Sequence, residues 1–195
     1  KQLIGQDGKV TSAQLSDGSV ERFDFVIVGV GIIPAQDLAE SAGLEIENGI
    51  AVDMYGRSSD PSIWAIGDCA SFDHQGQKMR LESVQNAIDQ AEATAQNILG
   101  TKTPYQPEPW FWSDQFDVKF QSVGLYRPNS ETIFRKGKRE GSKSWWSFNN
   151  QKLVCVEAIN DVQNFSFAKK IFENKISVNK DQIEDQNFDL KSLII

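Results

Sequence analysis

The sequence predicts an α/β segment followed by an α+β segment built on an antiparallel sheet with helices. Three observations carry this. Phe25-Val26-Ile27-Val28-Gly29-Val30 is an apolar run without alternation, the pattern of a strand buried on both faces of a parallel sheet. Residues 82–99 carry apolar side chains at spacings of three and four, as an amphipathic helix does. Beyond Pro104, Pro107 and Pro109, short strands recur at 118–126, 131–135, 144–148 and 153–159, a rhythm that suits antiparallel pairing.

The elements follow in order. Gly8 to Ser19 alternates apolar and polar residues around Asp17-Gly18, which predicts a hairpin arm. The run 25–30 is ended by Gly31-Ile32-Ile33-Pro34. Residues 36–42 make a short helix closed by Gly43, since glycine favours the position just past a helix end. Leu44 to Val52 predicts a hairpin around Asn48-Gly49. Polar Arg57 to Ser62 leads into an apolar strand, Ile63-Trp64-Ala65-Ile66, which runs into Gly67 and a carboxylate, Asp68. In the long helix, Val84, Ala87, Ile88, Ala91, Ala95 and Ile98 form the apolar stripe. Gln85, Asp89, Glu92 and Gln96 lie opposite, and Gly100 ends the helix. Asn149-Asn150-Gln151 turns the last two strands. Residues 161–174 predict a second helix with Phe165, Ala168, Ile171 and Phe172 on one side, and 180–195 a mixed polar tail with a short terminal helix.

The totals narrow the function classes. A chain of 195 residues holds one large or two small domains, and its 39% apolar and 24% charged content is that of an ordinary globular protein. A net charge of −7 argues against non-specific nucleic-acid binding. The longest apolar run is far too short to span a bilayer. Cys69 and Cys155 are distant and neither sits in a CxxC, which argues against a thiol–disulfide pair and suits a reducing, cytoplasmic setting. A single histidine, His74, cannot by itself build a metal site or a triad. The opening Lys1-Gln2-Leu3-Ile4 lacks an initiator Met, so a fragment or processed product is expected.

Several stretches can carry chemistry, each with a plainer alternative. An acid after a buried strand costs several kcal/mol to desolvate unless something satisfies it. Asp68 either caps the next turn or accepts hydrogen bonds from a ligand's hydroxyls, at a strand end where open α/β sheets bind ligands. Gly29-Val30-Gly31 opens like a dinucleotide fingerprint, but Pro34 stands where the third glycine belongs. Either a close cofactor approach or a tight turn explains it. Arg80-Leu81-Glu82-Ser83-Val84 leads into the long helix, whose first amides favour anionic atoms. Glu82 itself could simply complement the helix dipole. Pro109-Trp110-Phe111-Trp112 reads as domain-packing anchors or as a cover for a planar ring. Arg127, Arg135, Lys136, Lys138, Arg139 and Lys143 form a basic stretch, either a solvated hairpin edge or a docking patch for an acidic partner. His74 reads as a loop residue and the cysteines as packing residues.

Together, "FVIVGVGIIP", "NGIAVD", "SSDPSIWAIGDCA", "RLESVQNAIDQA" and "PWFWSDQ" resemble the flavoprotein NADH–ferredoxin reductases of oxygenase systems. The likeness runs over most of residues 20–170. It implies FAD and NAD as cofactors. Asp68, with Gly67 before it, would bind the ribityl and phosphate region of FAD. The Val84 amide would meet the flavin pyrimidine edge, and Trp112 would lie near the isoalloxazine. Glu82 and the Gly29–Gly31 turn would lie near the nicotinamide nucleotide. The implied partners are NADH and an iron–sulfur ferredoxin or a rubredoxin as acceptor, with no nucleic acid and no membrane.

The resemblance also implies a division: 1–30 as the tail of an NAD-binding domain, 31–103 as the second segment of an FAD-binding domain, and 104–195 as a C-terminal reductase domain. Neither GxGxxG fingerprint of the family occurs in this chain. The isolated chain is therefore expected to be inactive and to hold FAD weakly or not at all. The alternative is a stable, non-catalytic docking or self-association module.

Overall fold

The structure is a computed structural model that describes residues 2–194. It divides into two units, Lys1–Ile33 and Pro34–Ile195.

In the first unit β1 (Gln2–Gln6), β2 (Lys9–Gln14) and β3 (Val20–Arg22) form an antiparallel sheet in that order. The predicted Asp17-Gly18 turn joins β2 to β3, and β1 adds a further strand through Asp7-Gly8. Asp17 Oδ1 accepts hydrogen bonds from the Ser19 amide (2.9 Å) and hydroxyl (2.7 Å), which hold its carboxyl below its ordinary pKa. No apolar side chain of this unit is buried among the described residues.

The run 25–30 corrects the prediction of a central strand. It forms no regular structure, and Ile27 and Val30 are 85% and 87% exposed. A strand needs a neighbour for its amides and carbonyls, and among the described residues no strand pairs with it.

The second unit opens with α1 (Asp37–Ser41), closed at Gly43 as predicted. The hairpin at Asn48-Gly49 is reduced to an Ile46–Ile50 bridge. The reason is that β4 (Ile50–Ala51) pairs in parallel with β5 (Ala70–His74), which in turn pairs with β6 (Gln77–Met79). Residues 63–66 do not form the predicted strand. Trp64 makes one bridge to Arg57, Ala65 is buried, and Ile63 and Ile66 are exposed. A small core of Val52, Ala65, Ala70 and Phe72 lies here, with Phe72 edge-on to Tyr105 at 5.6 Å. The long helix is α2 (Val84–Ile98), and the tripeptide Gly67–Cys69 forms a 3-10 turn against it.

The C-terminal sheet is antiparallel throughout. Its strands are β7 (Trp110–Gln115), β8 (Val118–Gly124), β9 (Glu131–Lys136), β10 (Lys143–Asn149) and β11 (Lys152–Ile159), ordered β7-β8-β11-β10-β9. The aromatic stretch after the prolines is thus an edge strand. Helix α3 (Val162–Glu173), N-capped by Asp161, packs on this sheet, and α4 (Lys180–Glu184) lies against β9. Trp146, Phe148, Val156, Phe165, Ile171 and Ile183 centre the larger core.

Arg135 is not part of a solvated basic edge. It is buried, and its guanidinium donates to the carbonyls of Gln182, Ile183, Asp185 and Phe188 at 2.8–3.1 Å. The tail is thereby tied to the sheet. Arg127 is held by Gln75 and Gln77, and Lys143 lies over Trp145. Lys136, Lys138 and Arg139 remain exposed. Among the described residues no helix is long and apolar enough to cross a membrane.

Candidate functional site

The site is organised by the way α2 packs. Its buried residues are polar: Asn86, Gln90, Thr94 and Asn97. Each of three finds backbone partners. Gln90 Oε1 accepts from the Gly67 amide at 2.7 Å. Asn86 Nδ2 donates to the Leu81 carbonyl, and Asn86 Oδ1 accepts from the Tyr105 hydroxyl. Asn97 Nδ2 donates to the carbonyls of Tyr55 and Thr103. The apolar stripe expected to face the core faces outward instead, with Val84 63%, Ile88 49% and Ile98 57% exposed. Buried amides cost little when they are bonded; Thr94 Oγ1 is the exception on this face, buried without a partner among the described residues. The helix can therefore dock by its polar side and offer its apolar side elsewhere.

The N-terminus of α2 is open. Ser83 Oγ accepts from the Asn86 amide and the Ser83 carbonyl from the Ala87 amide. The amides of Val84 and Gln85 have no acceptor among the described residues. Unpaired first-turn amides carry partial positive charge.

Asp68 lies in the 3-10 turn after Gly67, whose φ of +71° suits glycine. The expectation of a buried acid needs correction. Asp68 is exposed, because no regular strand carries it into the interior, and its carboxylate takes no hydrogen bond from the chain among the described residues. The turn is tied to the helix start by Arg80, which sequence reading passed over. The Arg80 side chain is 6% exposed. One terminal nitrogen donates to the Asp68 carbonyl at 2.7 Å, and the other pairs with Glu82 Oε1 at 2.7 Å. Glu82 thus has a partner beyond the helix dipole.

Glu82 and Ser83 line a cavity of about 160 Å³ with Tyr105, Trp110 and Phe111, so the start of β7 lies beside the start of α2. Trp112 is not in that lining. It is 37% exposed and stacks on Trp110 at 5.4 Å, while Lys169 sits over the Trp110 ring at 3.9 Å. A larger cavity of about 1080 Å³ is lined by His74, Arg127, Leu153 and Phe172 and by none of the predicted site residues. Gly29 and Gly31 belong to the other unit; both are exposed and Gly31 has a φ of +95°. Among the described residues no group of His, Cys, Asp and Glu side chains could hold a metal ion.

Gln90, Asn86 and Asn97 were missed although a signal existed. They and Thr94 form a second stripe at helical spacing, about a third of a turn round the helix from the apolar one. Arg80 left no such signal, because its partners are a backbone carbonyl and a carboxylate in a turn.

This geometry meets known proteins at one place. Residues 1–91 match the family model "Pyridine nucleotide-disulphide oxidoreductase" and residues 110–194 match "Reductase C-terminal". The chain belongs to the pyridine nucleotide-disulphide oxidoreductase family. Within it, the chain falls among the reductases that carry this C-terminal domain. It is 38% identical over 196 residues to rhodocoxin reductase of Rhodococcus erythropolis, covering 100% of this chain and 46% of that protein. It is 34% identical over 188 residues to putidaredoxin reductase of Pseudomonas putida, covering 95% of this chain and 44% of that one. Among solved structures, the ferredoxin reductase for the CYP199A2 system from Rhodopseudomonas palustris superposes with a TM-score of 0.93 at 41% identity, over 100% of this chain and 48% of that one. The chain spans about half the length of the curated relatives it matches.

Proposed function

We propose that this chain serves, within its intact protein, in a reductase that passes electrons from NADH through FAD to a ferredoxin or rubredoxin. The observation that carries this reading is the outward apolar face of α2, set beside an open helix N-terminus and a turn with an unengaged carboxylate. These features fit a cofactor that is planar and apolar at one end and rich in hydroxyls at the other. When bound, FAD supplies hydride acceptance and single-electron release; the chain's residues hold it.

In this reading Asp68 accepts hydrogen bonds from the ribityl region, with Gly67 giving the turn its shape. The Val84 amide donates to the pyrimidine edge, where a helix N-terminus favours negative charge. Trp112, braced by Trp110, covers the ring system. Glu82 and the Gly29–Gly31 turn stand toward the nicotinamide nucleotide. Residues 1–30 are the tail of an NAD-binding domain, 31–103 the second segment of an FAD-binding domain and 104–195 the C-terminal reductase domain. Lys136, Lys138 and Arg139 offer an acidic acceptor protein positive charge. Two free cysteines suit the cytoplasm.

The test is Asp68→Ala in the full-length protein. The expected result is about tenfold weaker FAD binding, since hydrogen bonds to a charged group are lost, read as a lower flavin-to-protein absorbance ratio after gel filtration. Unchanged flavin retention would sink the reading. A second reading, self-association of the chain alone, is favoured by the same outward apolar stripe. A colourless 195-residue chain that sediments as a dimer, with D68A still holding FAD in the full-length protein, would replace the first reading by the second.

A further inference from the structure

We infer that Arg80 is a positioning residue for the flavin site: one guanidinium fixes the Asp68 turn and the α2 entrance to each other. The inference rests on the reading of Asp68 and Val84 as flavin contacts, and goes beyond it by naming what sets their spacing.

Three observations meet on this side chain. Its two terminal nitrogens are spent on different segments, the Asp68 carbonyl and the Glu82 carboxylate, both at 2.7 Å. The Arg80 fork is nearly removed from solvent, at 6% exposure, while its Glu82 partner sits at a rim, 41% exposed, so water competes little on the guanidinium side alone. The remaining nitrogen, Nε, is buried without a hydrogen-bond partner. That is a cost, accepted only where the other bonds determine the placement. The surroundings also reserve room for it. A Cβ on Gly49 would stand 2.6 Å from Arg80 Cδ and 2.7 Å from the Cys69 carbonyl, so the Asn48-Gly49 turn is shaped to the clamp.

The chemistry requires arginine. A planar fork reaches two acceptors in fixed directions; an ammonium is a single point that serves one of them well. Without the fork, the Asp68 turn is still held to α2 through the Gly67–Gln90 bond, about two turns further along the helix, but nothing fixes the Asp68 carbonyl to the segment that enters α2. The spacing of Asp68 and Val84 can then loosen while the chain remains folded.

The experiment uses the full-length protein with Arg80→Lys, beside Asp68→Ala as the marker of the flavin site. For R80K the expected result is about tenfold weaker FAD binding to the apoprotein, from the loss of one charge-assisted bond and its geometry. The visible circular dichroism of the bound flavin should change in shape, while the apoprotein melting temperature moves little. If D68A sheds FAD but R80K binds it as tightly as the parent with an unchanged dichroism band, the positioning role is overturned and the flavin reading stands. If R80K lowers melting temperature alone, Arg80 is a packing residue and the inference is again overturned. If D68A keeps its FAD, the flavin reading itself has failed. Should R80K not fold, Glu82→Gln decides. It weakens the other end of the clamp at an exposed rim, with two- to threefold weaker FAD binding expected, about half of a charge-assisted bond, and the same change in dichroism. An E82Q protein indistinguishable from the parent in both readouts overturns the proposal.

Discussion

At the scale of single residues, surroundings outweigh identity. His74 looks in sequence like a loop histidine, yet it lies in β5 and is only 5% exposed. Burial pushes its pKa below the usual 6.5, the Arg127 charge pushes the same way, and Asp73 opposes them. The imidazole is therefore held neutral in the fold, and the unfolded chain takes up its proton first as pH falls. The stability associated with neutral His74 is present above the unfolded pKa and is lost as pH drops through the folded one. Between about pH 7.5 and about pH 5.5 the parent should lose more melting temperature than His74→Gln, which has no proton to gain. Equal losses in the two proteins would refute the buried, neutral histidine. Gly49 teaches the same lesson. Asn-Gly is a turn signal legible in any sequence, and the Gly49 φ of +124° already favours glycine, but a larger residue would also meet the Cys69 carbonyl and the Arg80 side chain, thirty-one positions on, which no local pattern contains.

At the scale of elements, the limits of α2, α3 and the four strands β8 to β11 were legible, because each is bounded by turn or capping residues and has a clear period. The orientation of α2 was not. An apolar stripe predicts which face is apolar; it cannot say that this face is left exposed within the chain. The same physics explains residues 25–30, whose strand-like composition finds no pairing strand here. Two substitutions on opposite faces of α2 separate the cases. Gln90→Leu should cost the chain about 2 kcal/mol in urea unfolding, because the buried Gly67 amide loses its acceptor. Ile88→Lys, on the apolar face, should stay within about 0.5 kcal/mol in the same chain, as surface changes usually do. In the full-length protein I88K should instead become strongly destabilising and release FAD. A costly I88K in the isolated chain would show that the apolar face is already covered.

At the scale of the whole molecule, the two units differ in what holds them. Pro34–Ile195 carries both apolar cores, the larger one closed by Trp146, Phe148 and Ile183 and tied to the tail through Arg135. Lys1–Ile33 carries none: Leu3, Leu15, Val20, Phe25, Ile27 and Ile33 are all exposed, from 41% to 91%. A three-stranded sheet without an apolar face to bury is marginal by itself. This asymmetry was partly legible, since the alternating arm and the apolar run are visible in sequence while their lack of a partner is not. It leads to a definite expectation for the chain as given. Removing residues 1–33 should leave the unfolding free energy of the remainder, extrapolated to zero urea, unchanged within about 10–15%, the ordinary uncertainty of such extrapolations. In the undeleted chain, amides of β1 to β3 should exchange with solvent well before those of β10 and β11, as locally unstable segments do. A deletion that lowers that free energy beyond the margin, or slow exchange in β2, would mean that the arm shares a core with the rest. The exposed apolar surface would then lie in α2 alone, and the run at 25–30 would no longer count as apolar surface left uncovered within this chain.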